Sequence, residues 1–327
     1  MKIQNIFPRP SILFFVMVVA SCTQSTESVV PSSTAMPTSQ VSSNSPLPVA
    51  TATPIISPIL TMVPTLPVEE ARKQLLDLLS NNGDCNMPCL WGIVPGKSTY
   101  PEAQAILAPL GSLSDLTGFI PEGGVVSPKY IEDDLILATN IDFNIEILSD
   151  NQIVSRVGLR ARELKKIITT DSGLGFDPIF DSNVYGERVS FYMLHSVLTN
   201  HGLPESVMLG TVASIPPREP PGGFHILLLY PNQGIMINYT TQMHKTGLYV
   251  GGCPANAHVE MELCPSGNAD VFFASLEKTD DWAVRKNWYK SLEETTSMSV
   301  EEFYETFREP TDKCIETLAS LWPTPEP

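Results

Sequence analysis

Apolar residues recur with a helical period at three places along the chain. Val68, Ala71, Leu75, Leu78 and Leu79 share one face of a segment that opens at Pro67, carries Glu69 and Glu70 in its first turn and stops at Asn81-Asn82-Gly83. A second helix is predicted from Thr99-Tyr100-Pro101-Glu102, where the Thr and Glu side chains satisfy backbone donors reciprocally. Its face is Ala103, Ile106, Leu107 and Leu110, and Gly111 ends it. Ser190 reads as the N-cap of a third, in which Leu194, Val197, Leu198 and His201 repeat that spacing and Gly202 ends the helix. Strict alternation follows each of the last two. Ile141, Phe143, Ile145 and Ile147 alternate with Asp142, Asn144 and Glu146, and Ser149-Asp150-Asn151-Gln152 turns the chain into Ile153–Leu159. Phe224–Tyr230 turns at Pro231-Asn232-Gln233-Gly234 into Ile235, Ile237 and Tyr239. Alternation broken by polar turns predicts half-buried antiparallel hairpins. The stretch 281–309 reads as helical. Trp282, Trp288 and Leu292 form one apolar set, and Ser299-Val300-Glu301-Glu302 is a second capping box before Phe303 and Phe307. Pro310 ends it, and these aromatics are expected to pack on the sheet. The predicted fold class is α+β. Two helix-plus-antiparallel-sheet halves, 67–170 and 171–322, form a tandem-repeat-like arrangement with a C-terminal helical segment and a tail at 323–327.

The chain before residue 67 has neither period. Residues 1–21 place Lys2 and Arg9 ahead of a short apolar run, Ser11–Ala20, which is too brief to cross a bilayer of about 30 Å as a helix. A signal peptide is expected. Its end, Val19-Ala20-Ser21-Cys22, resembles the lipobox of bacterial lipoproteins. The resemblance implies acylation of Cys22, with chains such as palmitate, and cleavage before it. Two buried acyl chains suffice for stable anchoring at about 0.8 kcal/mol per CH₂. Residues 22–66 are rich in Ser, Thr and Pro and hold one charge, Glu27. Too little apolar surface is present to offset the entropy of ordering, so this segment is expected to be a disordered tether. The expected location is the cell membrane, lipid-anchored, facing the extracytoplasmic side.

Gly96-Lys97-Ser98-Thr99, Glu102-Ala103 and Leu110-Gly111 resemble the G-x-T…E-x-V…L-G element of small lipoproteins related to the BamE (SmpA/OmlA) group. Gly202-Leu203-Pro204-Glu205-Ser206-Val207 resembles the G-x-P-x-x-V that closes that element, whereas the first copy lacks Pro after Gly111. That group, and the tandem-repeat β-lactamase-inhibitor proteins of similar fold, imply helices packed on one face of an antiparallel sheet. Asn82-Gly83-Asp84-Cys85-Asn86-Met87-Pro88-Cys89-Leu90-Trp91-Gly92-Ile93, followed by Pro95-Gly96, resembles a segment of uncharacterised lipoproteins of Chloroflexota-type bacteria. No activity comes with that likeness.

Charge narrows the partners. The formal net charge is −16, and loss of Lys2 and Arg9 with the signal makes it two more negative. Nucleic acid and electrostatic docking on anionic lipid both need a basic face, so neither is expected. With Cys22 acylated, five of the six cysteines remain, and an odd count leaves one unpaired. Cys85 and Cys89 follow a helix stop and are expected to form a local disulfide. Val259, Met261 and Leu263 alternate with Glu260, Glu262 and Cys264, which places Cys264 on the polar face. The expected second pair is Cys253 with Cys314, pinning the tail to the sheet and leaving Cys264 free; Cys253 with Cys264 is the rival.

Familiar catalytic signatures are absent. The chain has no G-x-S-x-G, H-E-x-x-H, P-loop or dinucleotide fingerprint. The histidines are His195, His201, His225, His244 and His258, and each reads as structural or solvated. Glu132-Asp133-Asp134 reads as a solvated turn, and Asp171-Ser172-Gly173-Leu174-Gly175-Phe176-Asp177 as a polar loop that departs from a calcium-binding loop. No catalytic residue, metal ligand or cofactor is assigned. The expected function is non-catalytic: a lipid-anchored binding or scaffold protein with an envelope or secreted protein partner. The alternatives are an envelope hydrolase with a dispersed active site and an inhibitor of a secreted enzyme.

Overall fold

The computed structural model describes residues 66–110, 113–115, 123–126, 129–132, 135–148, 151–169, 173–178, 183–212, 223–277 and 288–322, all within one unit of the chain, Leu60–Pro327. The signal, Cys22 and the tether up to residue 65 lie outside the described residues, as do Asp133, Asp134, Asp171, Ser172 and Trp282.

The first helix, Val68–Asn81 (α1), buries Ala71, Leu75 and Leu79, and Asn82 stops it in the left-handed region at φ 56°. Tyr100–Leu107 (α2) starts with the expected capping box: Glu102 Oε2 accepts from the Thr99 backbone N–H at 2.8 Å, which holds the Glu102 carboxyl below its usual range. Asn183–Arg188 (α3) precedes Leu194–His201 (α4). The α4 helix begins later than the sequence suggests. Ser190–Tyr192 forms a 3-10 turn and the extended Met193 is the N-cap residue, because buried Tyr192 turns inward to hydrogen bond Asn82 and Trp91. Among the described residues three further helices follow: Ala269–Glu277 (α5), Leu292–Thr295 (α6) and Val300–Phe307 (α7).

Fourteen strands form two antiparallel sheets among the described residues. In the first half of the chain they are Leu113–Asp115 (β1), Gly123–Val126 (β2), Lys129–Glu132 (β3), Leu135–Leu148 (β4), Asn151–Thr169 (β5) and Gly173–Pro178 (β6). The second half adds Ser206–Val212 (β7), Gly223–Tyr230 (β8), Ile235–Gln242 (β9), His244–Thr246 (β10), Tyr249–Gly252 (β11), His258–Leu263 (β12), Tyr289–Ser291 (β13) and Ile315–Leu318 (β14). The large sheet runs β1-β2-β4-β5-β12-β9-β8-β7-β13, with β3 beside β4 and β6 beside β5. Both expected hairpins are therefore in one sheet, and β12 pairs with β5 on one side and β9 on the other. The small sheet is β10-β11-β14. Gly252 lets it approach the large sheet, because a Cβ there would fall 2.1 Å from Thr241 Oγ1.

One face of the large sheet carries the main core. Val157, Leu159, Ala161, Met261, Ile237, Tyr239, Ile226, Leu228 and Leu209 alternate onto it and meet α1, α2, α4 and α7. The other face is covered too, which corrects the one-face expectation. Phe272 and Leu276 of α5 pack on Leu227, Leu229, Met236 and Cys264. Beyond that patch the face is polar: Arg156 pairs with Glu262 at 2.8 Å, and Arg160 pairs with Glu260. Gly158, opposite Glu262, leaves room for the first pair, since a Cβ would lie 3.1 Å from the Glu262 carboxylate.

Three more expectations change. Gly173–Pro178 is a strand against Leu164–Thr169 rather than a loop. Tyr289–Ser291 is a strand against β7, not helix, because its backbone completes the sheet edge. Trp288 beside it is 48% exposed, whereas Leu292, Phe303 and Phe307 are buried.

Candidate functional site

A cleft of about 240 Å³ opens between the start of α4, the 3-10 turn Pro254–Asn256 and the segment after α7. Its apolar lining is Met193, Leu194, Pro254, Ala255, Phe307 and Pro310; its polar lining is His195, Glu309, Thr311 and Asp312. Local sequence dictates each wall. Met193 and Leu194 are the N-cap and first residue of α4, and the helix direction carries His195 outward as they are buried. Phe307 is the last residue of α7, and Pro310 cannot continue that helix. Segment 308–314 is held at both ends. The Arg308 carbonyl accepts from Thr199 Oγ1 of α4 at 3.0 Å, and Cys314 is joined to Cys253.

The imidazole of His195 is half-buried. Burial lowers its pKa, and the charge of Glu309 opposes that shift. The ring is therefore neutral at pH 7. Glu309 lies near enough for its charge to act on the His195 ring, and no hydrogen bond or ion pair joins the two. Among the described residues no three His, Cys, Asp or Glu side chains gather as a metal site.

The cysteines divide as follows. Cys85 is joined to Cys89, and Cys253 to Cys314. Cys264 is free but buried, not on an exposed polar face, because α5 covers that side of the sheet. Burial, with Glu262 nearby, pushes its thiol up to about 12, which leaves it protonated and inert as a nucleophile. The Cys85–Cys89 turn is organised by Asn82. Its amide donates to Cys85 O at 2.7 Å and Cys89 O at 2.9 Å. Its Oδ1 accepts from Tyr192 Oη at 2.8 Å and from Trp91 N at 3.3 Å, and Trp91 Nε1 donates to Tyr192 Oη at 3.0 Å. This is a structural centre, not an open site, since Asn82 is 0% exposed.

The other histidines serve the framework. His225 meets Asn238 and Thr240, His258 Nε2 accepts from the Glu163 backbone N–H at 3.4 Å, and His244 stands 3.6 Å from Glu316. His201 carries a pH signature. Gln233 Nε2 donates to His201 O, which turns Gln233 Oε1 toward His201 Nδ1 at 3.1 Å. Nδ1 then bears the proton, and buried Nε2 has no partner. Burial lowers the His201 pKa, against the opposing hydrogen bond to Gln233. A lowered histidine pKa contributes stability that is complete above the unfolded value of about 6.5 and is lost as pH falls through the folded value. Thermal melts at pH 7.5 and pH 5 are expected to show a drop in Tm that is smaller in His201→Gln than in the native chain. An equal drop in both would remove His201 from the acid response.

Glu309, Asp312 and Pro254 were not singled out in the sequence, and Phe307 was read only as a core residue. The signal that leads to them is the Cys253–Cys314 pair, because joining those residues brings Pro254 and Ala255 beside segment 309–312. The chain matches no protein-family model, no curated protein and no solved structure.

Proposed function

We propose that the protein is a lipid-anchored extracytoplasmic binding module whose ligand enters the cleft beside α4. The observation that carries this reading is the cleft itself: an apolar floor with a carboxylate-bearing rim. Two disulfides among the described residues suit an oxidising compartment. The signal and Cys22 support the anchor, and no helix among the described residues is long and apolar enough to cross a membrane. The partner is an envelope or secreted component.

A photo-crosslinking residue placed at the exposed rim position Ala255, in cells, tests this reading. Expected is a discrete adduct at Ala255 and none from the same residue at exposed Leu203, which lies outside the cleft. The adduct should stay in the membrane fraction and move to the soluble fraction in Cys22→Ser. Equal labelling from both positions, or none from Ala255, overturns the proposal.

A further inference from the structure

We infer that the cleft receives an organic monocation on a short apolar stem, a primary ammonium or guanidinium, carried by a free amine or by a lysine or arginine side chain. This inference rests on the cleft being the ligand site. Charge complementarity is its first support. Glu309 and Asp312 line the mouth, and no lysine or arginine does. Arg308, which precedes Glu309, is engaged elsewhere: it pairs with Glu305 at 2.9 Å and lies over the Tyr304 ring, 5.6 Å from its centroid. Lys313 is exposed and is not part of the lining. Both carboxylates therefore act outward on whatever enters, with the ring of His195 neutral beside them.

The floor sets the second requirement. Leu194 and Phe307 are buried, and Met193 and Pro254 join them, so a bare hydrated ion gains nothing there. A stem of a few methylenes does gain, at about 0.8 kcal/mol per CH₂ removed from water. Size sets the third. A volume of about 240 Å³ lies below the roughly 300–1,000 Å³ of small-molecule pockets, which suits one side chain or a small amine rather than an extended ligand. An anion meets two carboxylates, and a neutral stem leaves them without a partner. Lysine and arginine carry such an apolar stem beneath a charged head.

The test is ligand-observed NMR on the full chain in detergent, with four probes. These are n-butylammonium, the capped peptides acetyl-Gly-Lys-Gly-amide and acetyl-Gly-norleucine-Gly-amide, and butyrate. Expected are millimolar dissociation constants for butylammonium and the lysine peptide, at least tenfold weaker binding of the norleucine peptide, and no butyrate signal. The double variant Glu309→Gln with Asp312→Asn should weaken both cations at least tenfold, and its Tm should hold because both side chains are exposed. A lysine peptide fivefold tighter than butylammonium identifies a side chain as the source; the reverse order identifies a free amine. Norleucine binding as well as lysine, cation binding unchanged in the double variant, or no cation signal overturns the inference. If the Ala255 adduct persists in any of those cases, the binding-module reading stands and only the ligand class falls; if the adduct is also absent, both fall.

Discussion

Asn82→Asp is expected to be strongly destabilising. Aspartate is isosteric with asparagine and tolerates the left-handed backbone at φ 56°, so neither packing nor conformation changes. What changes is the donor. The two carbonyls that now receive the amide at 2.7 and 2.9 Å would face a carboxylate oxygen instead, at a position 0% exposed. Losing two hydrogen bonds and burying a charge beside two acceptors costs about 4 kcal/mol or more. For a folded region of this size, Tm should fall by about 8–16 °C. The deficit relative to the native chain should shrink as pH falls, because a protonated aspartic acid regains one donor. Thermal melts across pH 4–8 check both statements; a Tm within about 2 °C of native at pH 7 would show that the Asn82 network is not what holds this corner together.

Replacing Cys253 and Cys314 by serine is expected to be nearly as costly and to act on the cleft directly. The bond spans a sequence separation of 61, for which chain entropy alone gives about 4 kcal/mol. The Cys85–Cys89 bond, at a separation of 4, gives about 2 kcal/mol on the same basis, and Asn82 holds that turn independently. The two losses should therefore rank in that order by thermal melting. Position matters as well as magnitude. Strand β14 has four residues and, among the described residues, pairs with β11 alone, so its amides are expected to depend on the tether at Cys314. Hydrogen exchange should show residues 315–318 losing protection first in the serine variant while β5, β9 and β12 keep theirs. The cleft should lose its wall at segment 309–312, and Ala255 crosslinking should fall with it. Unchanged protection of 315–318 would mean that β14 is held by its own packing.

Long periodic elements were legible because their faces meet one core. The α1 face, the capping boxes at Thr99 and Ser299, and the alternations around Ile141 and Ile226 each repeat often enough to fix period and phase. Short pieces were not. Tyr289–Ser291 has too few residues for a period, and neighbouring helical spacing absorbed it. Ile315 and Thr317 are buried between exposed Glu316 and Leu318, but one repeat is no signal. Cys264 shows a different limit. Alternation says that it lies opposite Leu263, not that Phe272 and Leu276 will cover it. The cleft was least legible. His195, Pro254 and Glu309 belong to three separate stretches, and only the Cys253–Cys314 link relates two of them.

The position of β12 bears on how the molecule is made. It occupies the middle of the large sheet, yet it is synthesised after both of its neighbours. As the chain emerges amino end first, residues 157–161 of β5 and 235–240 of β9 have no partner along one edge until His258–Leu263 arrives. Unpaired edges of this kind recruit other chains. A nascent or truncated product ending before residue 258 is therefore sticky rather than merely incomplete. Cell-free truncation series should show soluble yield rising abruptly once residue 263 is included, and reporters are best fused beyond Trp322.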